Sequence, residues 1–430
     1  MERRTLDLLI IGGGLTGVVA ARRARQLGLD VLVVAAAPGS LPYTSGALDL
    51  IAVYPTETKH YRPSPWEALA ELVEHEPDHP YGKVGLGGVQ RAWEDVACYL
   101  ETGPLRYFRR REENLLLVTA AGTLKPTHLV PHSMRANVLA WESKEPTLLL
   151  GFERLVDFTP EHAAENLRDR WPGLRAARVD ASAVLGEERR ARVAELAAAF
   201  ERPAFRERFA EMVRPRLGSA RYLGLPAVLG FDNVVTVVED LERLLEVPVF
   251  EIPLLSPSLP GMRLADLLKA DLIDDGVEVL QGQPVVRLER GGDRVVGAVW
   301  RGQSVERRLE AESVILATGR FFGGGLVAGR SSVTEPLLGL TVEAPPSRDS
   351  WHMRTFLGAP GHPINRVGLV TDAELRPLAP EGRPVFSNLL AAGAILAGHD
   401  WVREKSGAGI SVVTGHAAAE RAGRRVGGRP

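Results

Sequence analysis

The 430 residues carry 52 basic and 54 acidic side chains, a formal net charge of -2, with 45% hydrophobic and 25% charged residues. This is globular composition, long enough for two or three domains, and it provides no electrostatic pull toward nucleic acid. The single cysteine, Cys98, excludes an intramolecular disulfide, an iron–sulfur cluster held by this chain alone and an all-thiolate zinc site, and it points to a reducing, cytoplasmic compartment.

Arg3 and Arg4 followed by the apolar stretch Leu8 to Ala21 imitate a secretory signal, but Asp7 opens that stretch and glycines interrupt it. No other stretch approaches the ~20 apolar residues of a membrane span, so contact with a membrane would come through another subunit. Asp7 to Ile11 read instead as a buried parallel strand. Gly12 to Gly17 then turn into a helix that runs to about Leu27, where Gly28 supplies a left-handed cap, and Val31 to Val34 form the next strand. A loop of turn formers follows, among them Pro38, Gly39, Pro42, Ser45 and Gly46.

From His60 to Pro260 this rhythm is lost, and mixed strands and helices are expected. One is an amphipathic helix with Val234, Val237, Val238, Leu241, Leu244 and Leu245 on one face. Arg189 to Arg216 read as helical with a solvated charged face. Cys98, in the apolar run Val96 to Leu100, reads as core filler. The first rhythm resumes at Gly261 with a helix Leu264 to Asp274. Strands follow over Val277 to Gln281, Val285 to Leu288, Val295 to Trp300 and Ser313 to Ala317. The chain closes with Asn388 to Gly393 and a helix from about Gly407. The expected fold is α/β: a discontinuous Rossmann-like FAD/NAD(P)-binding domain (1–58, 261–330 and 366–430) with an inserted α+β substrate or cap domain (59–260 and 331–365).

Gly12-Gly13-Gly14-Leu15-Thr16-Gly17 has the spacing of a dinucleotide-binding turn. The first glycine allows the turn, the second admits the pyrophosphate, the third lets helix and strand pack closely, and the helix N-terminus faces the phosphates. The carboxylate that usually binds the adenosine ribose is missing, because the second strand ends in Val34-Ala35-Ala36-Ala37. Either backbone and water satisfy that ribose or the cofactor lacks it; FAD is expected, with FMN as the alternative. Ala317-Thr318-Gly319 ends a late strand as in flavoproteins. Leu390-Ala391-Ala392-Gly393, with Gly407 and Gly409 at the next helix start, looks like a C-terminal flavin motif, where a helix dipole would face the flavin pyrimidine ring.

Further segments carry a more specific likeness. Thr44-Ser45-Gly46-Ala47-Leu48-Asp49-Leu50, His79-Pro80-Tyr81, Gly122-Thr123-Leu124, Pro257-Ser258 with Gly261 and Arg263, Thr318 to Val327, Glu335-Pro336 with Leu338-Gly339-Leu340, and Thr371-Asp372 with Leu375-Arg376-Pro377 resemble the B subunit of anaerobic glycerol-3-phosphate dehydrogenase over nearly the whole length. The resemblance implies a flavin subunit of a three-part enzyme that oxidises sn-glycerol 3-phosphate to dihydroxyacetone phosphate and passes electrons to quinone. It also implies two partners, a larger flavoprotein and a cysteine-rich iron–sulfur subunit that anchors the assembly at the inner face of the cell membrane. The chain departs from the family pattern at Ser406-Gly407-Ala408-Gly409, where the family has Cys-Gly-Gly-Gly, and at His399, where it has an aromatic. The first departure removes any thiol redox role at that helix start.

Ser45 and Gly46 are candidate flavin contacts. For a small phosphorylated substrate, Arg263, Arg320 and Arg376 are candidate binding groups because guanidinium donates bidentately; the competing role is a structural salt bridge. Oxidation of a secondary alcohol needs a base. His352, His362 and His399 lie near the late motifs, with no motif assigning the role; His399 is carried as a candidate, and Asp372 reads as a strand cap. Two other functions remain open: a stand-alone FAD-dependent dehydrogenase or oxidase of another small acid, and a non-catalytic electron-relay flavoprotein.

Overall fold

The computed structural model describes residues 5–180, 192–302, 306–358 and 360–427. The chain forms two compact units, Met1–Ser40 with Asp49–Val96 and Ala265–Pro430, and Leu41–Leu48 with Ala97–Leu264.

The first unit is built on a seven-stranded sheet. Thr5–Ile11 lies at its centre, paired in parallel on one side with Val31–Ala35 and on the other with Glu306–Leu316. Leu8, Leu9 and Ile10 are fully buried, as the near-continuous apolar run of a strand covered on both faces requires. Glu278–Gln281 extends the parallel order beyond Val31–Ala35. The strand Glu306–Leu316 has two partners along one edge: its first half pairs antiparallel with Arg294–Arg301 and its last three residues pair parallel with Leu389–Ala391. The α/β, Rossmann-like architecture read from the sequence is present.

The opening elements match their expected places. The helix Leu15–Gln26 is capped at Leu27, and Gly28 adopts φ 79°. The helix expected from Leu264 begins at Leu259, because Pro260 is tolerated in a first turn where its missing N–H has no intrahelical partner. The last helix is Gly407–Gly427.

Residues 59–96 and 331–365, expected in the cap, group with the dinucleotide-type unit. The physical reason is local. The Tyr81 hydroxyl donates to the Leu50 carbonyl at 2.5 Å. Val342–Glu343 pairs with Gly368–Leu369. Val333, Leu338, Leu340 and Trp351 enter the same apolar core as Leu6, Val314 and Leu389.

The second unit, expected to be mixed, contains a short antiparallel hairpin, Leu115–Val118 with Leu124–Thr127, and also a four-stranded sheet that is parallel throughout. Its strand order is Leu174–Val179, Thr147–Phe152, Tyr222–Pro226, Val249–Ile252. Phe152, Phe200 and Phe209 pack together, with ring centroids 5.0 to 6.2 Å apart. The helix Val234–Leu245 buries Val234, Val237, Val238, Leu241 and Leu245, the expected face, with Leu244 at its margin.

Two expectations fail here. The arginine-laced segment forms two helices, Val193–Phe200 and Pro203–Leu217, with residues 189–191 outside the described residues. Its face is not wholly solvated: Arg206 is buried and donates to Asp240 at 2.6 Å and to the carbonyls of Phe200 and Glu201. Cys98 is exposed and fills no core. On the helix Leu86–Thr102 the buried positions are Val89, Ala92, Trp93, Val96, Ala97 and Leu100, and a 3.6-residue period carries position 98 away from that stripe.

Candidate functional site

The glycine turn is held from both sides: the Gly12 amide donates to Val34 O and the Ala317 amide donates to Ile11 O, each at 2.9 Å. Gly12 has φ 124°, and a side chain there would collide with the Ala317 carbonyl; one at Gly17 would collide with the Gly12 carbonyl. Gly14 differs. Its backbone is extended at φ -80°, and the nearest atom to a Cβ at that place would be Gly39 Cα at 3.8 Å. Gly12 and Gly17 therefore close the turn, while Gly14 leaves open space at the start of the helix Leu15–Gln26. That helix starts with no side-chain cap and no acidic residue in its first turn, so the Leu15 and Thr16 end presents its dipole and N–H groups to an anion. Gly39, at φ 78° against Gly14, completes the cradle; the loop composition named it only as a turn former. An approach that only glycine permits, beside an uncapped helix N-terminus, fits the pyrophosphate of a dinucleotide flavin.

The later motifs join the same unit. Gly319 has φ 70°, and side chains at Gly323 and Gly325 would overlap Thr318 and Gly319, so the backbone after Ala317 winds tightly on itself. Gly393, at φ 80°, packs against Thr16, and its amide donates to Thr414 Oγ1 at 2.7 Å. At Gly409 the amide donates to Asp49 O at 2.8 Å, and the absent side chain leaves room for the Tyr81 hydroxyl. That N–H is thus engaged within the protein. Gly407 abuts the Trp401 ring.

Ser45 and Gly46 fall in the second unit. Ser45 Oγ accepts from the Ala47 amide at 3.4 Å. Gly46 adopts φ 76° against Pro260, and its carbonyl accepts from the buried Tyr107 hydroxyl at 2.7 Å.

The arginine candidates separate. Arg263, in the second unit, is buried and donates to both Glu251 oxygens, at 2.6 and 3.0 Å, and to the Gly230 carbonyl. Arg376 is partly exposed and pairs with Asp372 at 2.7 Å. Asp372 also accepts from the Glu374 and Arg376 amides, which makes it the closing carboxylate of a turn. Arg320 is buried and donates to the carbonyls of Asn365, Leu396 and His399, with one Nη 3.2 and 3.3 Å from the two His399 ring nitrogens. Its Nε has no partner among the described residues.

Arg320 belongs to a buried polar cluster that motif reading did not assemble. Burial, against the pull of Glu404 and Asp400, brings the Arg320 guanidinium down to about 10. Burial and then the Arg320 charge hold His399 well below the ordinary histidine range. Burial opposes ionisation of Glu404, but His79, His399 and the Ser406 hydroxyl outweigh it and bring its carboxyl to about 2. Glu404 accepts from Ser406 Oγ and from the Asp400 amide, each at 2.6 Å. His79 Nδ1 accepts from the Tyr81 amide at 3.1 Å, which leaves the Nε2 proton facing Glu404 at 3.4 Å. His79 stood in a family-like segment; nothing local marks Glu404. His362 and His352 sit elsewhere, with rings 5.4 Å apart, and His362 Nδ1 accepts from the Met353 amide. Among the described residues no helix is long and apolar enough to cross a membrane.

The sequence profile of the FAD binding domain family matches residues 7–410. A probable anaerobic glycerol-3-phosphate dehydrogenase B subunit of Halobacterium salinarum is 34% identical over 98% of this chain and 98% of its own. The anaerobic glycerol-3-phosphate dehydrogenase B subunit of Yersinia pseudotuberculosis is 31% identical over 96% of this chain and 97% of its own. Among solved structures, the 3-ketosteroid delta1-dehydrogenase of Sterolibacterium denitrificans has a TM-score of 0.45 at 14% identity, covering 98% of this chain and 99% of that one. The family match gives FAD, the pyrophosphate-bearing one of the two flavins considered, as the cofactor. The chain belongs to the FAD binding domain family and, within it, to the anaerobic glycerol-3-phosphate dehydrogenase B subunits, and it is an FAD-dependent oxidoreductase.

Proposed function

We propose that the chain is the flavin-bearing B subunit of an assembly that oxidises sn-glycerol 3-phosphate to dihydroxyacetone phosphate. A larger flavoprotein and a cysteine-rich iron–sulfur subunit carry the electrons to quinone and hold the complex at the inner face of the cell membrane. The observation that supports this reading most is the end-to-end likeness to relatives named as that subunit, over 98% of both chains in one case.

FAD, when bound, supplies the acceptor for the pair of electrons that leaves the alcohol carbon. The turn from Gly12 to Gly17 holds its pyrophosphate, with Gly14 admitting the phosphates and the helix amides of Leu15 and Thr16 donating to them. Ala317, Thr318, Gly319 and Gly393 shape the backbone around that turn, with Gly407 and Gly409 at the start of the last helix. Ser45 and Gly46 stay candidate flavin contacts on the resemblance of their segment alone. Arg320 and Arg376 are the candidate anchors for the substrate phosphate, whereas Arg263 is neutralised by Glu251. His399 is the candidate base, held neutral by burial and Arg320. With Arg320 against both of its nitrogens, His399 is a weak base for an incoming alcohol.

The reading therefore expects slow reduction of the isolated chain by glycerol 3-phosphate. Mixing with the larger flavoprotein and the cysteine-rich subunit should restore quinone-linked activity. Anaerobic stopped-flow bleaching of the flavin measures both. Rapid, complete bleaching of the chain alone would replace this reading with a stand-alone dehydrogenase. Slow bleaching with no gain on mixing would leave an electron-relay flavoprotein.

A further inference from the structure

A cleft lies in the first unit between the start of the helix Leu86–Thr102 and the second half of the helix Gly407–Gly427, lined by Gly88, Arg91, His416, Arg421 and Arg424. Arg421 lies about 18 Å along the last helix from Gly409, at 1.5 Å rise per residue, so the cleft is separate from the glycine turn.

Few of the charges there are met by contact ion pairs. Arg421 is 8% exposed; its Nη2 donates to the Lys83 carbonyl at 3.1 Å, and its buried Nη1 has no acceptor among the described residues. No carboxylate among those residues forms an ion pair with Arg421 or Arg91. Arg424 has only a surface contact with Glu374 at 3.4 Å. The one lining carboxylate, Glu420, is taken by Arg23 at 2.8 Å, with His416 at 3.9 Å. The helix Leu86–Thr102 has no acid in its first turn, which carries Gly87 and Gly88. Its dipole therefore adds positive potential to that of the arginines.

A guanidinium nine-tenths buried with one donor unmet, and with Glu374, Asp372 and Glu420 acting on it without ion-pair contact, is unfavourable unless a ligand supplies acceptors. Donors that arrive from two helices and three side chains suit a tetrahedral oxyanion with several acceptor oxygens better than a planar carboxylate. We propose that this cleft binds a phosphate group, either free or carried on a lipid headgroup.

The test uses the FAD-loaded chain, whose own phosphate-binding turn is filled. Inorganic phosphate is titrated calorimetrically at constant ionic strength into wild type, Arg91→Ala and Arg421→Gln. Wild type is expected to bind, and each variant to bind about tenfold more weakly or worse, with flavin content unchanged. Arg91 is exposed, so Arg91→Ala carries the test if Arg421→Gln misfolds. A parallel arm pellets the chain with phosphatidic acid vesicles and with phosphatidylcholine vesicles. Pelleting by the first only, lost in Arg91→Ala, assigns the lipid source; phosphate binding without pelleting assigns the free anion. The proposal is overturned if wild type shows neither binding nor pelleting, or if Arg91→Ala matches wild type in both.

Discussion

Gly393 packs so closely on Thr16 that a β-carbon at position 393 would overlap the threonine side chain, and the Gly393 backbone already sits at φ 80°. Two segments nearly four hundred residues apart in sequence thus fix each other at the N-terminal end of the helix Leu15–Gln26.

Gly393→Ala should therefore lower both stability and FAD affinity. An alanine forced into the left-handed region costs about 1–3 kcal/mol, and Thr16 must shift as well. Urea titration of the holoprotein reads the first effect and flavin retention on dilution the second. A stability change below about 0.5 kcal/mol with full retention would show that the contact is slack.

Gly14→Val should give a folded chain without flavin. The extended backbone at Gly14 accommodates valine, and beyond its chain neighbours the nearest atom to the β-carbon position is Gly39 Cα at 3.8 Å, so the new side chain is expected to take the space the pyrophosphate needs. Circular dichroism and bound-flavin absorbance separate the two outcomes. Wild-type flavin occupancy in this variant would move the phosphate site elsewhere.

Acid stability should depend on Glu404. Its carboxyl is at about 2 in the folded chain against an ordinary 4.5, so it stabilises the fold fully above pH about 4.5 and loses that contribution as pH falls toward 2. The full effect is on the order of 3 kcal/mol. Glu404→Gln should be less stable at neutral pH and show a flatter decline between those limits. Parallel pH profiles of wild type and variant, measured by urea midpoint, would contradict the assignment.

The Arg263–Glu251 pair is expected to be structural. Arg263→Met leaves a buried carboxylate unpaired and should cost about 3–5 kcal/mol. Adding Glu251→Gln removes that charge, keeps an acceptor for the Leu229 amide, and should recover a large part of the loss. If Arg263→Met retains stability but loses reduction by glycerol 3-phosphate in the reconstituted assembly, Arg263 belongs to the substrate site.

The dinucleotide turn was legible because its glycines recur at fixed spacing in a short segment; Gly17 is imposed by the Gly12 carbonyl within that segment, Gly12 by the distant Ala317 carbonyl. The parallel sheet of the second unit was not legible. Its strands are only four to six residues long, too short for a strand period to stand out beside the helix Val234–Leu245 that was legible. The cluster of His79, Arg320, His399 and Glu404 was half visible. Arg320 and His79 stand in motif-like segments, whereas Glu404 gains its role from partners far away in sequence or from a turn of local backbone. Cys98 shows the same limit in small: its neighbours are apolar, but helix phase, not neighbourhood, decides which side faces out.

The central strand of the first unit, Thr5–Ile11, is made well before one of its two neighbours, Glu306–Leu316, and the helix Leu15–Gln26 is packed by Gly415 against the Thr16 carbonyl. The second unit, by contrast, is complete once Leu264 has emerged. Vectorial synthesis therefore lets the inserted unit fold while the opening strand still waits for its partner. The glycine turn takes its final form only once the helix Gly407–Gly427 is in place against Thr16, so flavin binding at the turn waits on a segment distant in sequence.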